Sequence, residues 1–407
     1  MQLSQRVQEI ASSQSLVMAE RSRVMRANGI DVISMSLGEP DMDTPEHIRC
    51  AAQEAIESGW SHYGPVAGIP SLREAIAKSQ NNASGTGSIR FEAADVIVSV
   101  GAKMAIYNAI QTVINPGDEV IIPMPAWVSY SEMVKLAGGQ VVPVKTKMET
   151  DYCLTPEQLR SALTDKTRML ILCSPNNPTG SVYSQEQLAA LVSVLHDYPE
   201  VTILSDEVYA ALVYEGQALS LAAFEELADR LIVINGVSKA YAMTGYRIGW
   251  LLSKNRAFIA ACTRLQGQQL TCATMVAQKA AEAALTGPQE CVEAMRKVFA
   301  ERRELICRLA ADIPGWQFKQ PKGAFYLFPD VSAIGTGDEI AEQLLEQAHV
   351  AVVSGSAFGC PECIRLSYAI SAEQIREAMR RIREQQKNAF RLAHVKKKQY
   401  LCSRKGF

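Results

Sequence analysis

The sequence predicts an α/β protein, with a large doubly wound, mostly parallel sheet domain joined to a smaller α+β domain. Three observations predict it. From Ala94 onward, short β-branched runs alternate with longer amphipathic stretches, the pattern of parallel βαβ units. These runs are apolar on both faces, as strands covered by helices above and below must be. After about residue 290 the alternation stops and a different order of elements begins.

Seven runs read as the strands of the large sheet: DVIVSV at 95, EVIIPM at 119, QVVPV at 140, RMLILCSP at 168, VTILSDE at 201, RLIVING at 230 and GWLLS at 249. Beyond them come a long charged helix from Cys291 to Asp312, strands in GAFYLF, VAVVSG and IRLSYAI, and a closing helix from Ser371. The N-terminal helix and first strand are expected to join this second group. The expected units are therefore residues 46–290, residues 1–45 with 291–390, and a basic tail at 391–407. Lys396, Lys397, Lys398, Arg404 and Lys405 make that tail a solvated end rather than a nucleic-acid arm. There is no internal repeat and no low-complexity linker.

Composition excludes several function classes. The 407 residues exceed what a single core usually organises. Lys+Arg 41 against Asp+Glu 43 leaves a formal net charge of −2, so no global field attracts nucleic acid or an anionic membrane. The longest apolar runs fall well short of the ~20 residues that a bilayer-spanning helix requires. MQLSQRVQEI carries charges where a secretory signal places its apolar run. The ten cysteines are thus expected to be reduced, in a cytoplasmic protein. Cys360-Pro-Glu-Cys363 resembles half of a zinc site, but no second pair accompanies it, and no metal is expected.

Ligands of doubly wound sheets bind at the carboxyl ends of the strands, and here those ends carry chemistry. RMLILCSP runs into Asn176-Asn177-Pro178-Thr179-Gly180, VTILS into Asp206-Glu207-Val208-Tyr209, and RLIVING into Ser238-Lys239. Arg247 follows Lys239 beyond a glycine turn. An arginine, a hydroxyl and backbone donors together hold a phosphate dianion. An amine beside such a clamp points to a phosphorylated aldehyde bound as a Schiff base, which is pyridoxal 5′-phosphate. That cofactor withdraws electrons well only while its ring nitrogen is protonated. Asp206, at the end of an apolar strand, would be expensive to bury alone and is the acid suited to that nitrogen. Tyr209 and Asn177 are suited to the ring O3′. Singly, these residues have commoner structural uses as a helix cap, a core ring and a proline turn.

SLGEPDMDTPEH at 36, HYGPVAGIPSLREA at 62, SPNNPTG at 174, SDEVY at 205, NGVSKAYAMTGYRIGW at 235 and IRLSYA at 364 resemble, in order, the signature blocks of the fold-type I pyridoxal-phosphate enzymes. Within these the chain is similar to the class I aminotransferases, and among them to the prokaryotic-type aspartate aminotransferases. The resemblance covers about residues 1 to 385. It implies that Lys239 is the Schiff-base lysine and Asp206 the partner of the ring nitrogen. It also implies Tyr209 and Asn177 as O3′ ligands, Arg247 as the phosphate arginine and Trp127 as the ring that stacks on the cofactor. Gly101 and Ala102 match the loop whose amides meet the phosphate at a helix N-terminus. Tyr63 matches a tyrosine that reaches the phosphate of a neighbouring subunit, which requires a homodimer. Arg365 resembles the arginine that binds the substrate α-carboxylate, and Gly38 lies in the segment that closes over it. Gly236 departs from the pattern, because many relatives carry a phosphate-binding serine there; Ser238 is the available substitute.

The reaction implied is ping-pong transamination, with Lys239 as the base that moves the α-proton. In the aspartate-specific relatives a lysine of the cofactor loop and nearby hydroxyls contact the distal carboxylate. Lys103, Ser13 and Ser15 look like those positions, and Arg264 is a second cation to weigh. Aspartate and glutamate would then be preferred, with 2-oxoglutarate and oxaloacetate as acceptors. Of three alternatives, the residues leave the first open and argue against the other two. The same fold could serve aromatic, prephenate-like or other amino acids, or a lyase or synthase reaction. A ligand-sensing regulator would require a DNA-binding module ahead of the fold, where the resemblance already begins. A dinucleotide-dependent dehydrogenase would require GxGxxG after a strand, whereas Gly85-Thr86-Gly87 reads as a polar loop.

Overall fold

In the computed structural model of the protein, the described residues are 1–83, 88–216 and 218–403. Gly85, Thr86 and Gly87 lie outside them, as do Arg404 and Lys405 and the side chains of Lys396, Lys397 and Lys398. The strands are β1 (Ile33–Ser34), β2 (Val96–Val100), β3 (Glu119–Met124), β4 (Gln140–Lys145), β5 (Thr167–Cys173), β6 (Thr202–Asp206), β7 (Leu231–Gly236), β8 (Ile248–Leu252), β9 (Tyr326–Leu327), β10 (Val350–Ala351), β11 (Val353–Ser354) and β12 (Ile364–Ser367).

The seven runs expected as strands, β2 to β8, form one sheet in the order β2-β8-β7-β6-β5-β3-β4. One direction differs from the expectation. The GWLLS run, β8, lies antiparallel to both β2 and β7, while the β3–β4, β3–β5, β5–β6 and β6–β7 pairs are parallel. The cause is the connection. A parallel return takes a crossover of a dozen or more residues. Between Gly236 and Ile248 the chain is shorter than that and holds only a one-turn helix, Val237–Ala240, and a 3-10 turn, Thr244–Tyr246. Two reversals leave β2 parallel to β7, so β2, β5, β6 and β7 present their carboxyl ends on one rim.

Period-2 alternation builds the two faces. Leu170 and Leu172 of β5, Ile203 of β6 and Val233 of β7 pack on one side, under helices Glu46–Glu57, Pro70–Ala83, Gln185–Leu195 and Met275–Thr286. Met169, Ile171 and Cys173 of β5, Leu204 of β6 and Ile232 of β7 pack on the other, under Gly101–Val113, Ser129–Leu136 and Arg256–Gln269. Each fully buried aliphatic side chain contributes roughly 1.5–3 kcal/mol. A carboxylate at a strand end of such a sheet runs against that gradient and is held there by specific partners.

The second group is built around β9 to β12 and helices Glu290–Ala311, Gly337–Gln347 and Ala372–Ser403. β12 pairs antiparallel with β9 and β11, and β1 pairs parallel with β10. The VAVVSG run divides at Val352 into β10 and β11, which belong to different sheets, and GAFYLF contributes only Tyr326–Leu327 as strand. Helix Gln14–Ala27 joins this group: Met18 and Val32 pack with Leu345 and Ala351, and Arg21 pairs with Glu342 at 2.6 Å. The closing helix continues to Ser403, so the backbone of residues 391–403 is helical. Among the described residues no helix is long and apolar enough to cross a membrane.

Candidate active site

The rim encloses a cavity of about 370 Å³ between the large sheet, the N-terminal segment and β12. Asp206, the last residue of β6, is buried at 3% exposure and lies in register with Cys173 on β5. Its Oδ2 accepts from the Tyr130 hydroxyl at 2.6 Å, and its Oδ1 accepts from the Val208 amide at 3.2 Å. Burial pushes the Asp206 carboxyl up, while those two bonds and the Lys239 charge pull it down.

Lys239 sits on the one-turn helix after β7 and donates from Nζ to the Gly38 carbonyl at 2.5 Å. Burial pulls its pKa down to about 8, with Glu39 opposing and Arg247 and Arg365 assisting. An amine in that range is neutral often enough to act as nucleophile and base near neutrality.

At the opposite wall, helix Gly101–Val113 begins on the rim with Gly101 at φ +78°. A Cβ there would press on the Arg247 guanidinium, and a Cβ at Gly249 would overlap the Ala102 amide. The two glycines let β8, the helix start and Arg247 meet. Helix N-terminal amides and a guanidinium together form an anion cradle. Gly236 faces Gly249 across the β7–β8 pair, and a side chain there would press on the β8 backbone, which explains the absence of serine. Ser238 lines the cavity.

Arg365 on β12 is 2% exposed. Nη1 donates to Asn177 Oδ1 at 3.0 Å, and Nη2 donates to the Ser36 carbonyl at 2.6 Å and to Ser15 Oγ at 3.3 Å. Its guanidinium lies over the Tyr326 and Phe358 rings, 4.5 and 4.9 Å from their centroids. All of these partners are neutral, and the buried Nε has none. Among the described residues no carboxylate pairs with it, and burial lowers its pKa. A buried cation left without an acid is poised for an anionic ligand.

Tyr209 is buried, with its hydroxyl 2.7 Å from that of Tyr326. Trp127 stands edge-on to Tyr130 and carries the Lys103 ammonium 4.8 Å from its ring centre. Burial, then Arg247, lowers the Lys103 pKa. Ser13, Ser15, Gly38, Leu16 and Leu37 line the cavity with Lys103. Two expected residues lie elsewhere: Tyr63 is 88% exposed and does not line its own chain's cavity, and Arg264 is exposed on helix Arg256–Gln269. Cys360 and Cys363 are free thiols with sulfurs 3.4 Å apart, and no group of three metal ligands occurs among the described residues.

Sequence reasoning missed Tyr130, Cys173 and Tyr326. A partial signal existed for Tyr130, which follows Trp127 by three residues at a helix start and so shares its face. Tyr326 sits in an all-apolar run whose facing residue cannot be chosen from alternation alone.

A largely parallel seven-stranded sheet with a lysine, a carboxylate and arginines on its carboxyl rim, beside a smaller α+β unit, defines a fold-type I transferase. The comparisons agree. The model of the family described as aminotransferase class I and II matches residues 30–382. The chain is 44% identical over 388 residues to an aspartate aminotransferase of Bacillus sp. (strain YM-2), covering 93% of this chain and 98% of that one. It is 43% identical over 393 residues to an aspartate/prephenate aminotransferase of Cereibacter sphaeroides, covering 93% and 97%. A solved Thermus thermophilus aspartate aminotransferase with maleate superposes with a TM-score of 0.90 at 39% identity, over 95% of this chain and all of that one. The chain belongs to the class I and II aminotransferase family, whose members are pyridoxal-phosphate enzymes, and it is a transaminase acting between amino acids and 2-oxo acids.

Proposed function

We propose that this transaminase binds pyridoxal 5′-phosphate on Lys239 and moves the amino group of aspartate or glutamate to 2-oxoglutarate or oxaloacetate by a ping-pong mechanism. The observation that carries the substrate class is Arg365, buried without an acid partner at the cavity wall. The donor set fits the cofactor: a buried amine, a buried carboxylate and a helix N-terminus backed by Arg247 share one cavity with Trp127. When bound, the cofactor supplies an aldehyde that carries the amino group and a ring that accepts the electron pair left at Cα.

The chain's own residues do the rest. Arg365 binds the α-carboxylate through charge-assisted hydrogen bonds. Lys239, whose lowered pKa favours the neutral amine, would take the proton from Cα of the amino acid and hold it for return. Asp206, as a carboxylate, keeps a proton on the ring nitrogen. Tyr209 and Asn177 donate to the ring oxygen. Gly101, Ala102, Ser238 and Arg247 hold the phosphate. The Gly38 segment covers the site and excludes water. Lys103, with Ser13, reads a distal carboxylate; Lys103 lines the cavity, unlike Arg264. The Ser15 hydroxyl serves Arg365, to which it is bonded.

Tyr63, projecting into solvent, is offered to the phosphate of a second subunit in a homodimer. We read residues 46–290 as the cofactor-binding domain and residues 1–45 with 291–390 as the small domain. The free cysteines accord with a cytoplasmic setting. A second reading is favoured by Leu16 and Leu37, apolar side chains that line the cavity, and by the similarity to the aspartate/prephenate aminotransferase of Cereibacter: a ring-bearing oxo acid such as prephenate as an additional acceptor.

The experiment is a panel on purified protein supplied with pyridoxal phosphate. Aspartate, alanine, phenylalanine and cystathionine serve as donors, with 2-oxoglutarate and prephenate as acceptors. Borohydride reduction and peptide mass spectrometry locate the attached cofactor. Aspartate turnover with attachment at Lys239, lost in Lys239→Ala, supports the reading. Turnover by Lys239→Ala, or attachment elsewhere, refutes it.

A further inference from the structure

Asp206 has a partner outside the signature motifs. Tyr130, in the first turn of helix Ser129–Leu136, is 2% exposed, and its ring is fixed edge-on by Trp127 at 5.3 Å. Its hydroxyl is the only side-chain donor bonded to Asp206 among the described residues, at 2.6 Å. Cys173, the register partner of Asp206, directs its thiol to the Pro175 carbonyl at 3.3 Å instead. Glu207, next in sequence, accepts from Ser205, Ser220 and Gln80 in a separate buried cluster.

We infer that Tyr130 is a positioning residue for this reaction: its hydroxyl keeps Asp206 ionised and weakly basic, so that a proton shared with a bound ring nitrogen stays on the nitrogen. The inference rests on the transaminase reading above and adds the group that tunes its acid. An O–H bond to a carboxylate is charge-assisted and short, and a dry site strengthens it. Without it, Asp206 would keep one backbone donor, and desolvation would drive the carboxyl toward its neutral form, which is a poor partner for a cation. The titratable groups facing Asp206 are Tyr130, Cys173 and Lys239. Burial and the Asp206 charge raise the Tyr130 phenol well above its ordinary value, so it stays a donor throughout the working pH range.

The test is an infrared pH titration of the apoenzyme, following the carboxylic-acid band that is missing from Asp206→Asn. In Tyr130→Phe the midpoint should rise by about one to two pH units, the worth of one hydrogen bond to a charged group. With 3-fluorotyrosine incorporated at position 130, a more acidic donor of nearly the same shape, it should fall. In the loaded enzyme, Tyr130→Phe should lower kcat about tenfold with KM little changed. Midpoints that stay put, or that move the same way in both variants, overturn the inference and leave Tyr130 a packing residue. If Tyr130→Phe does not fold, the fluorotyrosine protein decides alone: a fall supports, no shift overturns. The titration uses neither cofactor nor substrate, so absence of cofactor at Lys239 would sink the transaminase reading without touching this result.

Discussion

The Lys239 ammonium donates to the Gly38 carbonyl at 2.5 Å, tying the turn after β7 to a segment 201 residues earlier in the chain. Thr244 is bonded to Glu39 in the same place, so the N-terminal segment lies closed on the rim. Gly38 is there because a Cβ would fall on the Tyr326 hydroxyl. Gly38→Ala should therefore lift the segment off Lys239. The expected outcome is a KM for the amino acid raised about tenfold, the kinetic size of a modest overpacking, with the cofactor still attached at Lys239. Steady-state kinetics and mass spectrometry check both halves, and an unchanged KM would show that this segment does not close the site.

The buried amine also makes a prediction about pH. Lys239 has its folded pKa pulled down to about 8, below its unfolded value of about 10.4. Between those values the unfolded chain holds more protons than the folded one, so stability rises with pH across that window and is indifferent to this group below it. Thermal melts of the apoenzyme from pH 7 to pH 10 should show that rise relative to Lys239→Met, which carries no titrating amine. Parallel curves for the two proteins would mean that the amine is solvated rather than buried.

The strands of the large sheet were legible because each is a β-branched run apolar on both faces, and the rim chemistry was legible because Asp206, Lys239 and Asn177 follow those runs directly. What the runs do not carry is direction. Ile248–Leu252 has the composition of its parallel neighbours, and only the shortness of the link from Gly236 turns it round. The first strand was expected to join the second group, but its partner was not readable: two residues, Ile33–Ser34, show no period that would pair them with Val350–Ala351. Tyr326 was hidden for another reason: an aromatic residue in an apolar run reads as core. Tyr130, between two serines at a helix start, showed only that it shares a face with Trp127; both rings are buried. Their function lies in where a single hydroxyl points, on Asp206 in one case and Tyr209 in the other, which depends on contacts between residues far apart in the chain.

Arg365 separates function from stability. Its partners Asn177, Ser36 and Ser15 are neutral, so the folded apoenzyme carries the desolvation of a cation without an ion pair to offset it. Arg365→Met, similar in length and able to fill the space between Tyr326 and Phe358, should leave the apoenzyme melting temperature unchanged or higher. The same change should raise the KM for amino acids at least about a hundredfold, the loss of two charge-assisted hydrogen bonds. An unreactive dicarboxylate such as maleate should raise the melting temperature of the parent protein, by linkage to the folded state, and not that of the variant. A variant that melts well below the parent would show that the guanidinium is chiefly structural.

Lys103 is the residue proposed to read a distal carboxylate. Its ammonium lies over Trp127, in the cavity that Ser13 also lines, while burial and Arg247 both disfavour its charge. A distal carboxylate would restore that charge, giving a four-carbon or five-carbon dicarboxylate an advantage that alanine lacks. Removing the cation should therefore cost aspartate more than alanine. For Lys103→Ala, the ratio of kcat/KM for aspartate to that for alanine should fall about tenfold to a hundredfold, the worth of one charged hydrogen bond, while alanine itself changes little. Competition between the two donors, read by the oxo acids formed, measures that ratio directly. If it is unmoved, the distal carboxylate is read by another group, and the exposed Arg264 becomes the residue to substitute next.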